Sequence, residues 1–207
     1  NICNHFKEAK ITAVDTHFKN DFISNYRNSS NFHSVTPYKS LDGLEKSQPP
    51  FSLVLLLDVL EHIENDILFL RSLLNYPFIN SNTLILISVP AFNHLFSSHD
   101  VFLEHFRRYS VLSLKETAAA SGFTPFDSGY FFFSLIPIRI LYLLKEKISP
   151  VADITGSNLH EWKGSEFLSH LIKNILFLDF KLLRTFSRIG LNIPGLSAYC
   201  LCKKSVS

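Results

Sequence analysis

Residues 51–63 read FSLVLLLDVLEHI, an apolar run that turns polar in a single step. Leu53, Val54, Leu55, Leu56 and Leu57 have the length and content of a central strand in a parallel sheet covered by helices on both faces. Asp58, Glu61 and His62 follow at once, and Ile63, Ile67, Leu68, Leu70, Leu73 and Leu74 then predict a helix over residues 63–75. Ligands of open α/β sheets bind in the crevice beyond the carboxyl ends of the strands. The junction after Leu57 is therefore the expected working edge.

On either side the pattern alternates. Residues 11–14 predict a short strand closed by Asp15, and residues 32–35 a second one. Gly43 and the Pro49-Pro50 pair mark a loop that sets off the strand at Phe51. Residues 83–89 (TLILISV) predict another buried strand, stopped by Pro90. Residues 90–109 (PAFNHLFSSHDVFLEHFRRY) read as a polar loop. Residues 113–122 predict a helix, with Ser113 as N-cap, Glu116 at the capping-box position and Gly122 as terminator. A strand is expected within residues 124–133 and a last one over residues 196–202. The order of strands and helices implies a doubly wound, Rossmann-like α/β sheet.

The chain has 207 residues, a net charge of +2 and 18% charged residues, so its overall charge does not single out nucleic acid as a partner. Its apolar share is 46% with twenty Phe, and much of that excess follows Tyr130. Two Leu- and Phe-rich segments, residues 130–144 and 167–189, form an apolar helical insertion (residues 130–191) before the last strand and basic tail (residues 192–207). Neither reaches the length of a charge-free membrane span. Leu168, Leu171, Ile172, Ile175, Leu178, Leu182 and Phe186 recur near helical spacing among Lys and Arg, which fits either a helix lying on a membrane surface or a layer capping the sheet. Cys3, Cys200 and Cys202 show no metal-ligand spacing and read as small apolar fillers, and no secretory leader is visible, so a cytoplasmic protein, with peripheral contact at the inner membrane face, is expected.

The polar residues divide by chemistry. Neutral imidazole is the natural proton acceptor near pH 7, which makes His62, His99 and His105 the candidate catalytic residues; loop packing is the alternative for each. Asp58, Glu61 and His62 stand at i, i+3 and i+4, on one face if the helix starts that early. With His99 or His105 they offer ligands to a divalent metal. The plainer reading, which carries more weight, has Glu61 capping the helix and His62 packing on the loop. Arg107 and Arg108 are adjacent and cannot point the same way: one suits a clamp on a phosphate or carboxylate, the other a pair with Asp100 or Glu104. Asp15 suits either ribose hydroxyls or a turn.

Taken together, Asp58-Val59-Leu60-Glu61-His62 and Val89-Pro90-Ala91 followed by His99-Asp100, His105 and Arg107-Arg108-Tyr109 resemble class I S-adenosylmethionine-dependent methyltransferases, in the bacterial branch carrying DVLEH and HD…H.RRY segments. The resemblance spans residues 11–123 and, more weakly, 193–203. It implies a seven-stranded sheet whose last strand runs antiparallel beside the sixth, and residues 1–129 as the methyltransferase core. It further implies S-adenosylmethionine as cofactor, with Asp15 on its ribose and Leu57 and Asp58 lining its pocket. The acceptor, a small or lipid-linked molecule, would meet Glu61, Asp100, Arg107, Arg108 and Tyr109. The family's first strand and glycine-rich loop would fall immediately before Asn1, so the chain is expected to begin part-way through that fold. A methyltransferase-like scaffold at the membrane surface that has lost its cofactor is the competing expectation.

Overall fold

The computed structural model describes residues 9–20, 23, 35–44, 48–148 and 165–205. The chain divides into two compact units, Asn1–Pro49 and Pro50–Ser207. In the first, β1 (Ile11–Val14) pairs in parallel with β2 (Val35–Tyr38), from Ile11 opposite Val35 to Val14 opposite Tyr38. The second strand therefore begins where the sequence expected it to end, and residues 32–34 lie outside the described residues. Pro37 is tolerated there because a strand of a two-stranded sheet keeps a free side for its missing N–H.

The second unit holds a four-stranded sheet of β3 (Leu53–Leu57), β4 (Leu84–Pro90), β5 (Phe123–Phe131) and β6 (Ser197–Lys204), in the order β3-β4-β6-β5. β3 and β4 are parallel, and β6 runs antiparallel to both β4 and β5. The last strand thus lies antiparallel beside the preceding one, as the resemblance implies, and the carboxyl ends of β3, β4 and β5 share one edge. β3 was expected at the centre. It stands instead at the margin of this sheet, with Leu53, Leu55 and Leu57 exposed on one face. The centre is β4 and β6, where Ile85, Ile87, Val89, Ala198, Cys200 and Cys202 are wholly buried. Each large aliphatic side chain there contributes roughly 1.5–3 kcal/mol.

Helix α1 (Asp66–Leu73) joins β3 to β4, and starts later than expected because Asn65 caps it, its Oδ1 accepting from the Leu68 amide at 3.4 Å. Residues Leu60–His62 form a separate 3-10 turn, so Asp58, Glu61 and His62 do not share an α-helical face. The stretch read as a loop contains α2 (Ser98–Phe102), closed by a Ser97–Asp100 capping box. In α3 (Val111–Ala120) the N-cap is Ser110 rather than Ser113, which instead completes the capping box. The insertion supplies α4 (Ile136–Ile148) and α5 (Glu166–Arg188); the polar stretch between them lies outside the described residues. Buried Asp179 fixes α5, accepting from the amide (2.9 Å) and hydroxyl (2.7 Å) of Ser134. Among the described residues no helix is long and apolar enough to cross a membrane.

Candidate functional site

Backbone strain gathers at the shared carboxyl edge. Asp58, Phe92 and Phe132 have φ values of 52°, 62° and 67°, and they follow β3, β4 and β5 respectively. A left-handed non-glycine residue costs roughly 1–2 kcal/mol, and such strain collects where a surrounding structure holds side chains for use. Asp58 is anchored by its amide, which donates to the Ser88 carbonyl at 3.0 Å.

Beyond β3, Glu61 is fully buried, and neither carboxylate oxygen has a hydrogen-bond partner. Burial, above all, pushes its carboxyl up to about 7; nearby Asp58 and Asp100 add to the rise, while Arg108 offsets part of it. The Glu61 carbonyl accepts from the Phe106 amide at 2.7 Å, which ties the 3-10 turn to the segment after α2. The tie brings the imidazoles of His62 and His105 edge to face at 4.5 Å. Ligand atoms of Glu61, His62 and His105 all lie within 4.8 Å of one another. Desolvation at this crowded strand end raises the Asp58 carboxyl, against the pull of His105 and His62.

Asp100 is the hub behind the cluster. It is wholly buried and accepts from the Ser97 amide (2.9 Å), the Ser97 hydroxyl (3.2 Å), His105 Nδ1 (3.0 Å), Arg108 Nε (2.8 Å) and Arg139 Nη2 (2.5 Å). Burial acts to raise its carboxyl, but the hydrogen bonds from Arg108 and His105 win and hold it below the usual carboxylate range. His105 moves down, chiefly by burial, although Asp100 draws it the other way. Because a carboxylate only accepts, the 3.0 Å contact makes Nδ1 the protonated nitrogen of His105 and leaves Nε2 with its lone pair.

The other expected site residues are placed differently. Arg108 also donates to the Ala91 carbonyl (3.2 Å), and Arg107 pairs with Asp66 (3.1 Å) and donates to the Glu64 carbonyl (2.5 Å). Both guanidinium groups are thus engaged by the protein itself, Arg107 remaining partly exposed. Tyr109 is buried, its hydroxyl donating to Asp66 at 2.7 Å, and its backbone pairs in parallel with Ala91 just beyond β4. His99 lies on α2 outside the His62–His105 pair, its amide donating to Ser97 Oγ at 3.2 Å. Leu57 is exposed at the end of β3. Asp15 follows β1 with its carboxylate half exposed, and its Oδ1 accepts from the His17 amide at 2.8 Å, the turn contact the sequence allowed for. Arg139 was not foreseen. Its signal was a lone arginine within an apolar helical run, a position that needs a buried partner.

No family model matches this chain, and no curated protein does. Solved structures do resemble it. One is a putative sarcosine dimethylglycine methyltransferase from Galdieria sulphuraria, at 12% identity and a TM-score of 0.51, covering 97% of this chain and 71% of that one. Another belongs to the complex between the Haloferax volcanii Trm112 methyltransferase activator and a putative methyltransferase, at 8% identity and a TM-score of 0.50, covering 95% and 72%. The O-methyltransferase NcsB1 from neocarzinostatin biosynthesis, solved with S-adenosylmethionine and 2-hydroxy-5-methyl naphthoic acid, matches at 15% identity and a TM-score of 0.46 over 62% of this chain. The present chain spans only 40% of that protein's length. The fold is the Rossmann-like α/β fold of class I methyltransferases.

Proposed function

We propose that this chain performs S-adenosylmethionine-dependent methyl transfer to a small-molecule or lipid-linked acceptor. The observation that supports it most is the placing of Asp58, Glu61, His62 and His105 beyond β3, on a sheet whose last strand lies antiparallel between β4 and β5. The DVLEH and HD…H.RRY segments that resemble the bacterial enzymes supply these residues. In the reaction an acceptor lone pair forms a bond to the methyl carbon as the carbon–sulfur bond breaks. Sulfur keeps the electron pair and leaves as S-adenosylhomocysteine, and the proton of an oxygen or nitrogen acceptor goes to a base or to solvent. The protein's task is alignment and activation of the acceptor.

In this reading Asp15 accepts from the ribose hydroxyls, and Leu57 and Asp58 line the cofactor pocket. His62 and His105, with Glu61, form the acceptor-activating group, and His99 is an outlying member of the same edge. Asp100, Arg108 and Tyr109 hold the loop that presents His105, while the partly exposed Arg107 meets the acceptor. Titration of S-adenosylmethionine into the full-length protein tests the reading: one saturable site supports it, and no binding removes it in favour of the cofactor-deficient scaffold.

The lipid-linked side of the proposal draws on the insertion. On α5 the outer face carries Leu168, Leu171, Ile175, Leu178 and Leu182, all exposed, while Ile172 and Phe186 are turned partly inward. Phe167 is 79% exposed and Ile148, at the end of α4, 84%. Exposed Lys145, Lys147, Lys173, Lys181, Arg184 and Arg188 accompany them, each worth about 1 kcal/mol near an anionic surface. The full-length protein is expected to co-sediment with anionic vesicles at low salt, and the double variant Leu171→Glu, Leu178→Glu to stay in the supernatant. Failure of the unsubstituted protein to pellet would end the membrane reading.

A further inference from the structure

We propose that Glu61, His62 and His105 bind a divalent transition ion such as Zn2+ or Mn2+. Three observations converge. First, Glu61 is a carboxyl side chain with no solvent exposure and no hydrogen-bond donor on either oxygen. Burying such a group costs several kcal/mol unless a partner compensates it, and a cation is the partner a carboxylate lacking donors suits best. Second, the protein offers that cation two imidazoles at the same spot, with the ligand atoms of all three residues within 4.8 Å of one another. Third, the Nδ1 of His105 is committed to Asp100 at 3.0 Å, which leaves Nε2 as the nitrogen with a lone pair to give. A carboxylate behind a ligating imidazole is the usual support of a metal-bound histidine, fixing its tautomer and raising its basicity.

The donor set decides the kind of ion. Two imidazole nitrogens and one carboxylate suit Zn2+, Mn2+, Fe2+ or Co2+ better than Ca2+ or Mg2+, which favour all-oxygen shells. Ligands about 2.1 Å from one ion stand at most about 4.2 Å apart. The cluster therefore has to contract slightly, and the exposed side chain of His62 is the member free to move. Asp100 pairs with both Arg108 and Arg139 and offsets one of their two positive charges.

Three protein ligands leave coordination positions open, the arrangement of a working rather than a purely structural ion. On the methyl-transfer reading, which only this step rests on, those positions take an acceptor oxygen. The ion lowers that oxygen's pKa, its proton leaves to solvent, and the resulting anion attacks the methyl carbon. Binding of the ion itself does not depend on that reading.

Calorimetric titration of Zn2+ into the full chain is the test, with circular dichroism to show that each variant is folded. One ion per chain is expected, with a Kd on the order of 1 μM or tighter. Glu61→Gln, which keeps the side chain's shape, and His62→Ala, at an exposed position, are each expected to weaken it by about tenfold or more. His94→Ala, outside the cluster, should leave it unchanged. The proposal fails if no one-to-one binding is seen, or if both cluster variants bind as the unsubstituted chain does. The same protein titrated with S-adenosylmethionine alone reports on the cofactor separately, so either idea can fail without the other.

Discussion

Asp100→Ala is expected to destabilise the protein by about 3–5 kcal/mol, the scale for removing one partner of a buried ion pair. The carboxylate is wholly buried between Arg108, 6% exposed at its side chain, and Arg139, 10% exposed. Taking it away strands two guanidinium groups in the protein interior and frees the ring of His105. Against a total stability of about 5–15 kcal/mol, that loss is a large share. Asp100→Asn keeps one acceptor oxygen and should lose less. Urea unfolding of the three proteins measures the difference; a shift under about 1 kcal/mol for the alanine variant would show that the network is not what holds this loop. The pH dependence has a definite sign. The folded-state pKa of Asp100 is depressed, so its contribution is complete above the unfolded carboxylate value near ~4 and is lost as pH falls through the lower folded value. Asp100→Asn should therefore flatten the acid limb of the stability profile.

Gly195→Ala is the second substitution expected to have a large effect. A Cβ there would stand 2.3 Å from the Phe131 carbonyl oxygen and under 3 Å from that residue's carbonyl carbon and nitrogen. These are backbone atoms at the end of β5, directly beside the Phe131–Ser197 pair that opens the β5–β6 ladder. They cannot rotate away, so the strands must part. A cost of about 3 kcal/mol, the upper end for overpacking, is expected. Gly190→Ala is the contrast: its φ is 83° but its Cβ would meet nothing within 4 Å, so it should lose only about 1 kcal/mol, from the left-handed backbone alone. Equal unfolding midpoints for the two variants would contradict the close approach.

The sheet was legible because its strands announce themselves by content. The apolar runs of β3, β4 and β6 lie within a residue or two of their expected positions, and the turn to polar residues after Leu57 marks the edge where the cluster forms. Helix starts were less legible, since a capping signature can be read in more than one frame. Ser113 with Glu116 looked like a box, but Ser110 with Ser113 is the one that forms. Ser97 with Asp100 carries the same signature and opens α2 inside a stretch that composition presents as loop. What sequence could not supply was pairing across distance. Arg139 meets Asp100 from 39 residues away, and nothing in the chain between them specifies that contact. The same holds for choosing His105 over His99 as the neighbour of His62: both lie in one polar stretch, and it is the Phe106–Glu61 backbone bond, with Asp100 holding the ring, that goes with His105 being the one brought across.

The central claim, that this fold serves an S-adenosylmethionine-dependent reaction, is met most directly by equilibrium titration of that cofactor into the full-length protein and its Asp15→Ala variant. Asp15 sits in an exposed turn, so its removal should leave folding intact while taking away the carboxylate proposed to accept from the ribose hydroxyls. The account expects one site per chain, weakened by about 10–100-fold in the variant, the scale of lost hydrogen bonds to a charged group. Absence of saturable binding to the unsubstituted protein would contradict it.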